Sequence, residues 1–547
     1  MSERRSSTMR SATSSMSSGR SDSLFSTPFN SASRTGTISS AVFNLTTTMV
    51  GGGVLSLPYA FSKSGLLTGY LLLLLFACVS DFTVYSLVSC SRRSGEATFE
   101  GVARAGLGHT GYVVCLICVI LTTFLAVIGY SVLLRDLLLP LATHFIDDRI
   151  TKGFWGNEIM CITAGLVTPL MFMKSLTALK PMGVVGCTTI FCLAMCIAYR
   201  TSTCVDDPQY IYEDTLAPSD YPEPKDLGDY ITWTGKAMDV LDSIPIFICT
   251  FVCHFNVLPV HHELHTPTRN RLRTLIHTTF TVTSLFYAFV GTVGSFVGRC
   301  PYFVNANFDV LDVQGNILNN FSDDDPIMNI GRACLSCTIT LAFPLLVVPC
   351  RDMIVRLGVK LLKNDDEDLN ASLLKGDALN NSSHLRSISQ NSAETVKDPN
   401  KFITVAATLF VFWGGLSVAC VVDDIEVVWD VLGSTISILI AFLLPSACYL
   451  VLAKVRRRPR HDLSVSAGLS EMNVCPDAAA NAAGDDNTDY NTDSEYGSPM
   501  LRRPGMPGEK KTTNLRRVFA YVILFSFTPL MMVCTWNAIT NLIENNS

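Results

Sequence analysis

Stretches of about 20 mostly apolar residues recur along the chain, with polar stretches between them. A helix of that length crosses the hydrocarbon core of a bilayer and pairs its own backbone groups there. The series of alternating ten-residue segments that is typical of a membrane β-barrel does not occur. The pattern therefore predicts an all-α polytopic membrane protein. We number the predicted spans 1 to 11: 38–61, 66–90, 111–134, 158–173, 182–199, 244–260, 273–297, 329–350, 402–422, 427–453 and 518–539.

Lys and Arg residues collect after the even-numbered spans. Basic residues close to the ends of spans favour the cytosolic side of a membrane. Because every even-numbered span exits towards such residues, the N-terminus is predicted to be cytosolic. The stretch 200–242 holds ten acidic residues against three basic ones, as expected of an outward or lumenal loop. The basic residues are Arg92, Arg93, Arg104, Lys174, Lys180, Arg269, Arg271, Arg273, Arg351, Arg356, Lys360, Lys363, Arg456, Arg457, Arg458 and Arg460.

The composition supports contact with lipid and excludes nucleic-acid binding. Hydrophobic residues make up 48% of the chain, charged residues 16%, and the mean hydropathy is +0.34. That is more apolar surface than a soluble core hides, so we expect membrane lipid to cover the excess. The net charge of -6 and the pI near 5.9 provide no basic field for a nucleic-acid partner.

Polar segments divide the predicted spans into blocks. Residues 1–37 are rich in Ser and Arg, contain no cleavable signal sequence, and are predicted to form a disordered cytosolic tail. Spans 1–8 form a transmembrane core over 38–350, and spans 9 and 10 cover 402–453. Between the blocks we expect a partly disordered cytosolic loop over 351–401 and a disordered one over 454–516. Residues 517–547 hold span 11 and an outward C-terminus. The polar tail and loops are either solvated linkers or sites for phosphorylation and cytosolic regulatory partners.

Span 1 contains the first candidate binding site, a run of three glycines. Gly51, Gly52 and Gly53 follow the hydroxyls of Thr47 and Thr48, and a proline comes five residues later. Each glycine costs about 1 kcal/mol inside a helix, so the run favours an unwound segment that offers backbone groups to a polar solute. The alternative is close packing of helices through small residues.

Span 6 contains a second irregular segment. Phe251, His254 and Phe255 lie in an apolar stretch together with Asn256 and Pro259. An ionisable residue inside a span indicates function, although a His satisfied by neighbouring hydroxyls is the alternative. The two irregular segments lie five spans apart, which reverses the helix direction and predicts an inverted repeat whose breaks meet near the midplane.

Span 8 is the third span that we expect to be irregular. Its threonines, among them Thr340, precede Pro344 and Pro349. A hydroxyl that faces the interior of the bundle could bind a small hard cation such as sodium, together with carbonyls freed in span 1. The alternative is that these hydroxyls only satisfy their own helix backbone.

The predicted topology places Cys204 and Cys300 in outward loops. Nearly all of the other 17 cysteines of the 19 lie in spans or cytosolic segments. An oxidising compartment permits disulfides and only one outward pairing exists, so these two cysteines are predicted to be linked. Asn320 lies in an Asn-Phe-Ser sequon on the same side and is a candidate for glycosylation. The two CxxC pairs lack His or Cys partners, so we expect no metal site.

Several motifs together resemble the amino acid/auxin permease family. They are the span 1 sequence 43–53, the span 6 sequences Phe-Val-Cys-His at 251–254 and Val-Leu-Pro at 257–259, Glu263 with Leu264, and the span 10 sequence 427–449. The chain is most similar to the sodium-coupled neutral amino acid transporters and the plant-type vacuolar amino acid transporters. The resemblance covers about 37–452.

This resemblance implies a LeuT-like five-plus-five inverted repeat with an eleventh helix and alternating access. It also implies that the substrate is an amino acid, in particular a neutral one, held by spans 1 and 6. It implies that Thr47, Thr48, the three glycines, Phe251, His254 and Phe255 contact the substrate.

For a coupling ion, the resemblance implies Thr47, Val50 and Thr340 as ligands. In the sodium-coupled branch an Asn in span 1 pairs with the Thr of span 8, but this chain has Thr47 there, as the vacuolar branch does. Sodium and protons therefore both remain open as the coupling ion, with no other cofactor. The family's outward disulfide fits Cys204 and Cys300.

Two other classes of protein were weighed. The cluster His261, His262 and His265 could suggest a membrane metal enzyme, but the other histidines are scattered among the nine of the chain. We therefore expect no enzyme. An amino-acid-sensing receptor on the same fold is the alternative function, with the cytosolic loops as its signalling surface. The plasma membrane and a vacuolar or lysosomal membrane are both compatible with the sequence.

Overall fold

The computed structural model describes residues 36–145, 156–172, 182–203, 233–299, 313–321, 323, 325–374, 401–422, 425–453 and 507–545. In these ranges the regular secondary structure is helical, and the only β pairing is an isolated bridge between Gly36 and Leu264. The predicted all-α class is therefore confirmed for the described part of the chain. Residues 1–35 of the predicted tail, 375–400 of the first predicted loop and 454–506 of the second lie outside these ranges.

Nine described helices are long and apolar enough to cross a membrane, and they correspond to predicted spans 2, 3 and 5 to 11. Span 1 is a tenth candidate, made of two helices that meet at a bend. The predicted span 4 corresponds to a shorter apolar helix, Asn157–Phe172. The nine long helices are Leu66–Ser94, Phe99–Ala142, Val184–Thr203, Ala237–Glu263, Arg269–Ser295, Pro326–Gly358, Phe402–Ala419, Ile425–Leu452 and Asn514–Asn541.

Span 8 is regular, so the predicted irregularity is wrong. The helix Pro326–Leu374 continues through Pro344 and Pro349. A proline removes one backbone hydrogen bond, and neighbouring helices can compensate for that loss inside a bundle. The same helix extends past the predicted end of the span at 350, so the first part of the segment that was expected to be a loop is helical.

The helix of span 3 begins well before its apolar segment. Phe99–Phe145 is interrupted at Gly108, whose φ of 73° is available to glycine at no steric cost. In the short first part, the buried carboxylate of Glu100 forms an ion pair of 2.5 Å with Arg356 near the C-terminal end of span 8. The polar segment between spans 2 and 3 is therefore attached to the bundle.

Spans 6 and 10 lie at the centre of the bundle. In their most apolar windows 72% of the residues are buried, against 22% in span 11, which is therefore peripheral. The second half of span 1 packs between spans 6 and 7. There the ring of Phe61 lies 5.5 Å from the ring of Phe247 and fits against Gly69 and Gly291, where a Cβ would come within 3 Å of it.

Span 10 changes its helical winding in the middle. An α-helical turn, Ile425–Val431, leads into two π-helical segments, Leu432–Ser437 and Leu439–Leu443, and then into the α-helix Leu444–Leu452. π-helical turns are rare and are common at functional sites. The apolar pattern of the span did not predict this change of winding.

Candidate functional site

Span 1 breaks at its glycines, as predicted. The helix Ile38–Met49 stops, Gly51 takes a non-helical ψ of -140°, and a 3₁₀ turn, Gly52–Ser56, follows. The second helix, Leu57–Ser64, has Pro58 in its first turn, where the missing N–H costs nothing. The two helices are bent by 55°. This geometry favours unwinding over the interpretation that the glycines only serve close packing.

Span 6 breaks earlier than its proline suggests. The helix Ala237–Thr250 ends, three residues follow, and the helix His254–Glu263 begins. Pro259 lies inside the second helix. The Tyr287 hydroxyl of span 7 donates a hydrogen bond of 2.9 Å to the Thr250 carbonyl. A side chain from another span thus satisfies one backbone group at the break.

The two breaks lie side by side. A Cβ on Gly53 would come within 3.2 Å of the Thr250 methyl group, so the broken segments touch. Next to the breaks, the Asn256 amide donates a hydrogen bond of 2.8 Å to the Thr48 hydroxyl, which itself donates to the Asn44 carbonyl. Backbone of span 1 and backbone of span 6 therefore meet at one junction.

Tyr130 of span 3 covers the break in span 1. Its hydroxyl lies so close to Gly51 that a Cβ on this glycine would overlap it. The Tyr130 ring lies 6.3 Å from the ring of Phe343, which lies 5.3 Å from the ring of Phe412. The sequence analysis missed Tyr130. The available signal was a phenol hydroxyl in an otherwise apolar stretch, because a buried tyrosine usually has a polar partner.

His254 is fully buried at the start of the second half of span 6. Its Nε2 lies 2.9 Å from the Thr83 hydroxyl of span 2. Thr83 donates its own proton to the Ser80 carbonyl, so it accepts the proton of the imidazole Nε2. Within the described part of the chain, Nδ1 is buried without a partner. The His254 ring thus joins spans 2 and 6 and keeps one free acceptor.

The two phenylalanines of the span 6 motif differ in their surroundings. Phe251 is fully buried, and its ring lies 5.4 Å from the ring of Tyr287 and 6.1 Å from the ring of Phe280. It therefore packs against span 7. Phe255 is half-buried at the edge of the core.

Thr47, the first candidate ion ligand, faces span 5. Its hydroxyl donates a hydrogen bond of 2.8 Å to the Phe43 carbonyl and lies 3.2 Å from the Cys187 thiol. Val50 ends the first helix, and its N–H donates to the Thr46 carbonyl over 2.8 Å. Thr47 and Val50 are thus close in sequence but have different neighbours.

Thr340, the candidate ion ligand of span 8, has different neighbours from Thr47. It is half-buried on the inner side of span 8, in register with the buried residues Ser336 and Phe343. The span 8 threonine near Thr47 is Thr338, whose hydroxyl lies 2.6 Å from that of Thr189. No described contact joins Thr47 to Thr340.

The outward candidates are only partly described. Cys204 and Cys300 lie outside the described residues, so their disulfide stays a prediction. Asn320 is 4% exposed, and its Oδ1 accepts a hydrogen bond of 2.9 Å from the Gln314 N–H. An oligosaccharide on Nδ2 does not fit this buried position, which counts against glycosylation of the folded chain.

The histidines past span 6 are used in contacts between helices. His261 and His262 are buried, and the His261 ring accepts a hydrogen bond of 3.4 Å from Arg92 of span 2. In the described ranges no group of three or more His, Cys, Asp or Glu side chains is arranged to hold a metal ion.

Comparison with known proteins gives the family. A family model described as transmembrane amino acid transporter protein matches residues 34–466. The chain belongs to this family. It is 24% identical over 428 residues to the "Putative sodium-coupled neutral amino acid transporter 11" of Danio rerio, covering 77% of this chain and 80% of the relative. It is 24% identical over 417 residues to vacuolar amino acid transporter 5 of Schizosaccharomyces pombe, covering 75% and 83%. It is also 26% identical over 287 residues to amino acid transporter AVT6E of Arabidopsis thaliana, covering 52% and 54%.

Membership confirms the resemblance that the span 1 and span 6 motifs carry. The protein is a multi-pass membrane protein of an amino acid transporter family and is not an enzyme. Its relatives include one transporter named as vacuolar and several named as sodium-coupled.

Proposed function

We propose that this protein carries amino acids, neutral ones in particular, across a membrane by alternating access. The observation that supports this most directly is the junction of the two breaks, where Gly53 meets Thr250 and Asn256 binds Thr48. The substrate binds there, in the space that the Tyr130 hydroxyl now adjoins.

Helix ends at the junction match the two charges of an amino acid. The first helices of spans 1 and 6 end at Met49 and Thr250, and carbonyl ends of helices attract an ammonium group. The second helices begin at Leu57 and His254, and N-terminal ends attract a carboxylate. Broken helices of secondary transporters bind polar solutes in this way.

The arrangement of breaks supports a LeuT-like five-plus-five repeat with an added eleventh helix. Breaks in spans 1 and 6 lie one repeat apart, and the two halves of such a fold rock against each other around the site. Thr47, Thr48, Gly51, Gly52 and Gly53 line it from span 1. From span 6, His254 and Phe255 line it, and Phe251 supports it through its packing on span 7.

A gradient of sodium or of protons drives the transport. For sodium the ligands are the Thr47 hydroxyl, the Val50 carbonyl and the Thr340 hydroxyl, which the spans bring together in another state of the cycle. For protons His254 provides a titratable group at the break. The name of the relatives described as sodium-coupled supports sodium.

The N-terminus lies in the cytosol, and the membrane is the plasma membrane or a vacuolar or lysosomal one. Basic residues at the ends of the even spans support this orientation. The polar segments at 1–37, 351–401 and 454–516 then face cytosolic regulatory partners.

Uptake in proteoliposomes tests the proposal. The purified chain is reconstituted, and radiolabelled alanine, glutamine, leucine, lysine and glutamate are supplied under a sodium gradient or a pH gradient, each alone. We expect accumulation of the neutral amino acids under one of the two gradients.

In the experiment with a sodium gradient, Thr340→Ala is expected to raise the sodium concentration for half-maximal uptake, and Thr47→Asn is expected to lower it.

A folded chain that binds amino acids but moves none of them, with or without a gradient, contradicts the transporter and supports a sensing receptor. Tryptophan fluorescence and size-exclusion chromatography provide the control for folding in the same detergent.

A further inference from the structure

Span 10 carries a carboxyl group that the proposed cycle does not use. Asp430 lies five residues after Ile425, the first residue of the span, or about 8 Å along the helix. Its Oδ1 is buried and has no hydrogen-bond partner in the described part of the chain. A carboxylate inside a membrane span is costly and indicates function.

The charged neighbours of Asp430 are acidic. Glu426 precedes it by one turn on span 10, and Asp242 faces it from span 6. The nearby titratable groups on other elements are Tyr59 of span 1, Cys249 of span 6 and Cys534 of span 11. Lys63 is the basic residue on this side of span 1, and its ammonium lies 5.6 Å from the centre of the Tyr59 ring.

Other contacts hold Asp242 in place. The amides of Asn537 and Asn541 on span 11 both donate hydrogen bonds to its Oδ1, the second over 3.4 Å. In the described ranges no Lys, Arg or His lies within ion-pair distance of Asp430. An ionised Asp430 would therefore face like charges without a counter-ion, and repulsion favours its neutral form.

A second buried polar group extends this site inward. Ser437 is 0% exposed, and its hydroxyl lies within hydrogen-bond range of the Cys249 thiol. It lies beside Cys249, which is also within electrostatic range of Asp430, so Ser437 and Asp430 face the same seam between spans 6 and 10. Cys249 immediately precedes Thr250, the last residue before the break in span 6.

The winding of span 10 brings the seam together. The π-helical segment Leu432–Ser437 covers its inner part, and a Cβ on Gly433 would overlap the Pro245 carbonyl of span 6. The backbones of spans 6 and 10 are therefore in direct contact between Asp430 and Ser437. Asp430, Ser437 and Cys249 therefore lie along one seam, and Cys249 adjoins Thr250 at the substrate junction.

We propose that the carboxyl group of Asp430 is a proton-binding site of the transport cycle. It takes a proton from water on the outward or lumenal side, which forms a neutral O–H, and it releases the proton towards the cytosol after the bundle has changed its state. Neutralisation removes the repulsion from Asp242 and Glu426 and lets span 10 close on span 6. The inference rests on the proposed function and selects the proton as coupling ion.

The test uses Asp430→Asn, which keeps the shape of the neutral carboxyl but cannot release a proton. Proteoliposomes hold a pH-sensitive dye, valinomycin and potassium clamp the voltage, and the neutral amino acid that wild type transports best is the probe. A gradient of one pH unit supports about tenfold accumulation in a one-to-one symport. We expect wild type to approach that value, and Asp430→Asn to lose accumulation and amino-acid-induced proton movement while exchange without a gradient persists within about twofold.

Matched variants distinguish the explanations. Asp430→Glu keeps a titratable group and is expected to retain proton movement. Asp352→Asn, on the cytosolic side of span 8, removes a carboxylate outside the seam and is expected to behave as wild type.

Several results would overturn the inference: proton movement that persists in Asp430→Asn, uptake driven by sodium alone, or a folded Asp430→Asn that also loses exchange, which indicates a substrate contact. Absence of exchange in wild type overturns the proposed function and this inference together.

Discussion

At the scale of single residues, the junction depends on glycines, which have no Cβ atom. Glycine at positions 51 and 53 lets Tyr130 and Thr250 approach the backbone of span 1. Only a residue without a Cβ leaves room there for a neighbouring hydroxyl and, in the proposed cycle, for a substrate. The site is therefore most sensitive to added volume.

Gly51→Val is expected to reduce uptake by about 100-fold, since displacement of reacting or binding groups by about 1 Å has effects of that size. The added side chain overlaps the Tyr130 hydroxyl and displaces span 3 from the break. Initial uptake rates per molecule in the membrane provide the measurement. Gly165→Val in span 4 is the matched control, because nothing lies within 4 Å of a Cβ there. Normal uptake by Gly51→Val would favour a packing role for the glycines.

At the scale of elements, an outward segment is attached to span 8 by one buried cation. The Arg332 guanidinium donates hydrogen bonds of 3.0 and 2.9 Å to the carbonyls of Leu318 and Phe321, and one of 2.9 Å to the Asn329 side chain. Arg332 is 2% exposed, and its guanidinium also lies 3.8 Å from the Asp323 carboxylate. The segment that it holds contacts the second half of span 1.

Arg332→Leu is expected to lower the free energy of unfolding by about 2 kcal/mol or more, because two buried carbonyls lose their donor. A fall in the thermal transition of the detergent-purified chain is the readout. Arg104→Leu, at an exposed position before span 3, is the control and should change the transition little. Equal transitions for the two variants would show that the outward segment contributes nothing to stability.

At the scale of the whole molecule, the order of the spans determines which loops meet. Odd and even spans alternate in direction, so the loops after spans 5 and 7 emerge on the same side. Cys204 and Cys300 lie in those loops, outside the described residues.

We expect Cys204 and Cys300 to form a disulfide that closes a loop of about 100 residues and stabilises the fold by about 4 kcal/mol in the chain-entropy model. A membrane-impermeant maleimide should label neither thiol before reduction and both after it. Cys204→Ser should expose Cys300 to the reagent, which distinguishes a disulfide from burial. Labelling of both without reduction would contradict the link and the predicted topology.

Apolar length and local chemistry were sufficient to predict ten of the eleven spans and the break in span 1, whereas span 4 corresponds to a shorter helix. Both features depend on residues that are close together in the sequence. About 20 apolar residues form a helix long enough to cross a bilayer, and three consecutive glycines weaken a helix in any tertiary context. The break in span 6 was placed correctly around His254, although Pro259 was expected to be part of it and is helical.

Contacts between distant segments were decided only by the tertiary structure. Tyr130 against Gly51, the separation of Thr47 from Thr340, and the seam of Asp430 and Ser437 each depend on how one helix is rotated against another. Successive residues of a helix are rotated by about 100° around its axis, so a small rotation of the helix decides whether a side chain contacts a neighbouring helix or lipid. A span that is buried on every side is apolar all round, and its sequence pattern therefore does not indicate this rotation. The sequence alone therefore determined that this chain crosses a membrane and where its first helix breaks, whereas packing decided which polar groups meet inside it.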